Sequence, residues 1–257
     1  MSRGPTPFLV LTFPRTGSSW LVDTLDSHPR IAAYDELLYG AGGAPAHARS
    51  DLSNFVDYRF RSVWVERLAV LRRLTYLRAV YRRRPGVQAV GFKLMYLQAR
   101  SNPGLLPLLA LRRARAIHLV RANLLAAAIS YDVARSTGVF HPRRGETTPS
   151  ALVRLDTDRL IARLEGMALD ISRARSWLER LRFPRIEVVY EELAARPKET
   201  LAEILRFLGV GRPVDGLRSQ LVRSSDEQSL LRVENPCEVR AALAGSRFEW
   251  MIGDARP

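Results

Sequence analysis

The sequence predicts an α/β fold, a single domain whose central parallel sheet is flanked by helices. Three observations point there. Short apolar, β-prone runs recur along the chain, and segments of helical periodicity separate them. The length of 257 residues at 47% hydrophobic suffices for one sizeable core and is short for two ordinary domains. Strands separated by helices imply parallel pairing through right-handed crossovers, which puts ligand sites at the carboxyl ends of the strands.

The run Phe8 to Phe13, bounded by Pro7 and Pro14, reads as a strand buried on both faces. A helix follows over Ser18 to Ser27, with Trp20, Leu21 and Leu25 as the inward stripe and His28-Pro29 ending it. Arg30 to Tyr34 is a short second strand, and Gly40 to Pro45 is a loop. From Leu52 to Arg84 the pattern is helical and Arg-rich, which predicts a helical insert over about residues 50–85 with a solvated basic face. Docking of this stretch on a membrane would be peripheral at most. Val87 to Met95 is the next strand, Leu105 to Ala114 a helix, and Ala116 to Val120 a strand that delivers Arg121 at its carboxyl end. Asn123 to Ser136 is helical, and His141 to Pro149 is a polar, aperiodic loop. A long helical stretch over Ser150 to Phe183, a last strand over Arg185 to Tyr190 and a helix over Lys198 to Leu208, stopped by Gly209, complete the core. In Asn235-Pro236-Cys237-Glu238 a capping residue, a first-turn proline and a Glu at the third position predict a short helix to Leu243.

The composition narrows the function. A single cysteine, Cys237, excludes a disulfide framework, and four scattered histidines show no ligand spacing, so no metal is expected. No apolar run is long enough for a membrane span and no signal-like segment opens the chain, which leads to a cytoplasmic expectation. The formal net charge of +14 would ordinarily suggest nucleic acid. Lys93 and Lys198 are the only lysines, however, so the charge reflects a bias toward Arg, and no nucleic-acid motif accompanies it.

The chemistry concentrates after the first strand. There a turn containing Gly17 leads into a helix start bearing Thr16, Ser18 and Ser19, where unpaired amides and the positive helix end favour an oxyanion. Arg15 adds a permanently charged fork suited to phosphate or sulfate oxygens. A capped helix after a turn would look similar. A Walker A loop, G-x-x-x-x-G-K-[ST], is absent, which weighs against a P-loop kinase.

The segment Leu11-Thr12-Phe13-Pro14-Arg15-Thr16-Gly17-Ser18-Ser19-Trp20-Leu21 resembles the 5′-phosphosulfate-binding loop of sulfotransferases that use 3′-phosphoadenosine 5′-phosphosulfate (PAPS). The likeness is strongest to the bacterial group that includes trehalose 2-sulfotransferase and nodulation-factor sulfotransferases, in which Arg stands where cytosolic relatives commonly carry Lys. His118-Leu119-Val120-Arg121, with Ser130 nine positions after Arg121 on the next helix, resembles the family's 3′-phosphate site. Gly91 to Met95 and Glu234 to Trp250 resemble further parts of the family.

The resemblance implies a P-loop-NTPase-like single domain that binds PAPS through Arg15, Thr16, Gly17, Ser18, Ser19, Trp20, Arg121 and Ser130 and releases 3′-phosphoadenosine 5′-phosphate (PAP). It implies in-line transfer of the sulfuryl group to a hydroxyl of a carbohydrate, glycolipid or secondary metabolite, with Arg15 taking charge from the leaving oxygen. Glu36 is the implied base; Asp35 is its neighbouring alternative, and a capping role for Glu36 stays open. Lys93 either binds sulfate or acceptor near the site or snorkels from a strand edge. Tyr39, His47 and His141 are candidate acceptor contacts. A homodimer is left open, and a basic binding protein for nucleic acid or membrane, or a divergent P-loop kinase, stands as the alternative.

Overall fold

The computed structural model describes residues 4–38, 69–82, 84–140, 151–211, 216–221 and 229–253. Five strands form one parallel sheet in the order β2-β3-β1-β4-β5. The strands are β1 (Thr6–Thr12), β2 (Ile31–Tyr34), β3 (Ala89–Met95), β4 (Arg115–Val120) and β5 (Arg185–Val189). Around them pack α1 (Ser18–Asp26), α2 (Ala69–Val80), α3 (Tyr96–Ser101), α4 (Leu105–Leu111), α5 (Leu124–Thr137), α6 (Thr157–Arg180), α7 (Tyr190–Ala195), α8 (Pro197–Leu208) and α9 (Pro236–Leu243). The parallel sheet with a binding loop between β1 and α1 is the P-loop-like architecture expected.

The central strands are largely apolar, and their two-residue period splits them between two cores. Leu9 and Leu11 of β1 join Val90, Phe92, Leu94 and the inner faces of α5, α6 and α9. Phe8 and Val10 join Leu21 and Leu25 of α1 and the stripe Leu201, Ile204, Leu205 and Leu208 of α8. At β3 the sheet closes tightly: a Cβ on Gly91 would stand 2.4 Å from the Phe8 ring, so no larger residue fits there.

This topology decides where chemistry gathers. The chain leaves β1, crosses over β3 to build β2, returns to β3 and then moves to the opposite side of β1 for β4 and β5. The strand order therefore reverses around β1, and the crevice beyond the carboxyl ends of β3, β1 and β4 is the expected ligand position. Thr12 pairs with Met95 and Leu11 with His118, so Pro14 to Gly17, Met95 and Arg121 all emerge at one rim.

The predicted strands and helices are present, with three differences. Two six-residue helices, α3 and α7, follow β3 and β5 directly and are too short to show a period. The helix expected from Ser150 begins only at Thr157, because Val153 is held in an isolated parallel bridge to Val233 and Asp156 caps Arg159 through its side chain. Asn235 does precede α9, yet its side chain makes no cap; it accepts from Leu155 N at 3.0 Å and donates to Leu155 O at 3.0 Å. Of the insert predicted over residues 50–85, only the part from α2 onward lies within the described residues, and Tyr39, His47, His141 and the loop to Pro149 lie outside them. No helix among the described residues is long and apolar enough to cross a membrane.

Candidate functional site

The loop after β1 turns from strand to helix through two left-handed residues, Arg15 at φ 67° and Gly17 at φ 74°. Glycine adopts this conformation freely, whereas a residue with a Cβ loses about 1–2 kcal/mol. At Arg15 a contact offsets that cost: its carbonyl accepts from Arg121 Nη1 at 2.6 Å. At Gly17 the demand is steric as well, since a Cβ there would lie 2.7 Å from the Tyr190 ring. Among the described residues no side chain caps α1, so its first amides are left open where Ser18, Ser19 and Trp20 line the cleft, an arrangement that suits an anion.

The loop is tied down from beneath. Thr16 is fully buried; its hydroxyl lies 2.6 Å from that of Thr12 and donates to Phe13 O, while Thr12 donates to Leu119 O of β4 at 2.8 Å. Thr16 is thus the one residue of the loop whose side chain secures the turn instead of lining the cleft; Pro14, Arg15, Gly17, Ser18, Ser19 and Trp20 all line it.

Arg121 leaves the end of β4 with its guanidinium 4.8 Å above the Tyr190 ring centre, and burial lowers its pKa to about 10. Behind it the Glu191 carboxylate accepts from Ala122 N and Asn123 N at 3.0 and 2.9 Å, and Asn123 caps α5 through Ala126 N. Ser130, two turns into α5, accepts from Arg15 Nε at 2.9 Å, and a second Arg15 nitrogen donates to Phe140 O. Burial is the main force holding Arg15 below its ordinary value. The two anion sites expected separately therefore touch: Arg15 bridges from the loop to Ser130, and Arg121 reaches back to the loop.

On the other side of the loop stands a buried ion cluster. Strand parity turns Lys93 toward α1, where its ammonium, 1% exposed, donates to Ser19 Oγ at 2.7 Å. It pairs with Asp35 at 2.5 Å and Glu36 at 3.0 Å, both just past β2. Burial disfavours the charged lysine, but the two carboxylates together outweigh it and hold the ammonium above its ordinary value. Burial raises Glu36 above the usual carboxylate range, with Lys93 opposing the rise. The snorkelling alternative for Lys93 fails, because β3 is an interior strand and its ammonium is sealed. The segment that Glu36 would cap lies outside the described residues; within them its carboxylate is engaged by Lys93 at 3.0 Å and by Gln98 Nε2 at 2.7 Å.

Arg15, Ser19, Glu36, Lys93, Gln98 and Arg121 line a cleft of about 620 Å³. Its outer rim carries the exposed side chains Leu97, Tyr131 and Phe140 and the ion pair of Arg100 with Asp170 at 3.4 Å. Under its floor, Tyr96 meets His118 Nε2 at 2.6 Å, His118 Nδ1 meets Glu187 at 3.0 Å, and Arg175 binds Glu187 through two nitrogens. A carboxylate held by Arg only accepts, so Nδ1 carries the proton and Nε2 accepts from the phenol. Burial holds His118 below its ordinary value, keeping this ring neutral. Among the described residues no group of His, Cys, Asp and Glu side chains is arranged to hold a metal.

Sequence reasoning did not single out Tyr190, Glu191 or Gln98. Tyr190-Glu191 directly follows β5 at the carboxyl rim, which is a usable signal; Gln98 becomes visible only once α3 is recognised.

The chain is similar to known proteins. A family model described as the sulfotransferase family matches residues 7–213. Nodulation protein H of Rhizobium tropici is 29% identical over 248 residues, covering 95% of this chain and 92% of that protein. Among solved structures, a sulfotransferase from Alicyclobacillus acidocaldarius is similar at 16% identity and TM-score 0.47, covering 98% of this chain and 96% of that one. Mouse sulfotransferase SULT7A1 complexed with PAP is similar at 14% identity and TM-score 0.44, covering 99% of this chain and 79% of that one.

Proposed function

The chain belongs to the sulfotransferase family and is a transferase of sulfuryl groups to a small-molecule acceptor, and from this premise we propose that it takes the group from PAPS and that Glu36 is the base. One observation carries the proposal: Lys93 spans from Ser19 of the loop to Glu36, which sets a carboxylate beside the position where the sulfuryl group of a loop-bound donor would lie. The open amides of α1 and the Arg15 guanidinium suit the 5′-phosphosulfate, and Arg121 with Ser130 suits the 3′-phosphate. A basic binder has no such use for a carboxylate facing the loop, and a P-loop kinase would need the Walker lysine that this loop lacks.

In this reading the acceptor hydroxyl gives its proton to Glu36 as its oxygen bonds to sulfur, and the bond from sulfur to the bridging phosphate oxygen breaks. PAP leaves with the electron pair, and Arg15, Lys93 and the loop amides take up the growing charge. A carboxylate held above its usual range is a better base near neutral pH. The apolar and aromatic rim beside the Arg100–Asp170 pair suits a sugar, glycolipid or natural product that presents one hydroxyl. The reading includes a cytoplasmic location and leaves a homodimer open.

The test is PAP binding by calorimetry together with mass detection of sulfate added from PAPS to a panel of alkyl glycosides and phenols. Saturable PAP binding that is lost in both Arg15→Ala and Arg121→Ala is expected. Folded wild-type protein that binds no PAP would overturn the reading.

A further inference from the structure

The first turn of α3 solves a hydrogen-bonding problem whose answer reaches into the cleft. Met95 ends β3, and its N–H meets Gln98 Oε1 at 3.0 Å. A backbone N–H only donates, so the oxygen end of the carboxamide must face it. The amide nitrogen is then turned outward, and it stands 2.7 Å from Glu36 Oε2. That nitrogen also only donates. The other Glu36 oxygen faces the Lys93 ammonium at 3.0 Å, again a pure donor. Both oxygens of the carboxylate are thus held as acceptors by partners that are themselves fixed, one by the strand end and one by Asp35 and Ser19.

We propose that Gln98 is a positioning residue for sulfuryl transfer: with its amide locked by Met95 N, it holds the Glu36 carboxylate in the orientation from which it receives the acceptor proton. This rests on the reading of Glu36 as the base. Gln98 acts through Glu36 and needs no contact with donor or acceptor. The charged groups that bear on Glu36 are Lys93 on β3 and its neighbour Asp35, and Gln98 on α3 is the uncharged third partner. Replacing its amide with a group that cannot donate leaves Lys93 alone to oppose burial, so Glu36 binds its proton more readily.

The experiment is a titration followed by carbon NMR in protein labelled at glutamate side-chain carboxyls, with the Glu36 signal identified by its loss in Glu36→Gln. Gln98→Met keeps length and shape but not the donor, and the Glu36 midpoint should rise by about one unit or more, as loss of a hydrogen bond to a charged group implies. Gln98→Glu, which puts a second carboxylate beside the first, should raise it further, and it decides the matter if Gln98→Met fails to fold. In Gln98→Met, which adds no charge, PAP affinity should stay within about twofold of the wild type, and the acid limb of turnover on an alkyl glycoside that the wild type sulfates should move with the midpoint. An unmoved Glu36 midpoint overturns the role of Gln98 and leaves the base reading standing. Full turnover by Glu36→Gln overturns the base reading and this inference with it.

Discussion

Lys93 Nζ and Glu36 Oε1 stand 3.0 Å apart, both largely buried at the edge of the cleft, and the same ammonium donates to Ser19 of the loop after β1. One lysine thereby joins the loop to the proposed base, and its buried ion pairs make it hard to replace.

Lys93→Met should be severely damaging. It leaves Asp35 and Glu36 facing each other without a cation in a buried setting, and breaking a buried pair in this way costs about 3–5 kcal/mol. Urea unfolding should show the loss as a lowered midpoint with an unchanged slope, and Lys93→Arg should recover only part of it.

Arg121→Ala should weaken PAP binding by about a hundredfold or more, since it removes a buried charge together with the bond that holds the Arg15 carbonyl in place. Arg121→Lys should restore only part, because an ammonium neither stacks as a plane on Tyr190 nor bonds bidentately. Ser130→Ala should cost less, about tenfold. Calorimetric titration with PAP ranks all three, and equal affinities for the Ala and Lys forms of Arg121 would contradict the assignment.

Gly17→Ala should lower both stability and PAP affinity, because the new Cβ meets the Tyr190 ring and the backbone stays left-handed. The double substitution Gly17→Ala with Tyr190→Ala relieves the clash but not the strained φ. It should therefore recover stability partly, leaving about 1 kcal/mol unrecovered in thermal unfolding once the effect of Tyr190→Ala alone is subtracted.

His118 should make the fold acid-sensitive. Its folded value lies below the ordinary 6.5, so as pH falls under that value the unfolded chain takes up a proton that the folded ring refuses, and stability drops. Glu187, lowered chiefly by its bonds to Arg175, adds a second loss below the ordinary 4.5. In His118→Gln the decline just below pH 6.5 should flatten while the more acidic one persists; denaturant midpoints measured at intervals of pH distinguish them.

The first strand was legible because burial on both faces leaves an unbroken apolar run, punctuated by Pro7, Pro14 and the Gly17 turn, and β3 and β4 because their runs stay mostly apolar around Lys93 and His118. Arg15 and Arg121 were legible because each stands at the carboxyl end of such a run. The helices that follow β3 and β5 without a gap were not marked in the same way: α3 and α7 span six residues each, shorter than the window in which a helical period shows itself. Gln98 and Tyr190 stayed hidden with them. Asn235 carried a cap signal, yet its amide clamps Leu155 instead, a choice made by a neighbour 80 residues away.

The sequence by itself determined the parallel α/β architecture, the anion loop and the order in which the site residues reach the rim, because these follow from local pattern and from where strands end. Only the tertiary structure decided that Lys93 is a sealed bridge and no surface cation, that Arg15 reaches Ser130, and that Gln98 grips Glu36. Parity tells which face of a strand a side chain takes. What it meets there depends on the sheet order, which brings β2, β3 and α1 together around one ammonium.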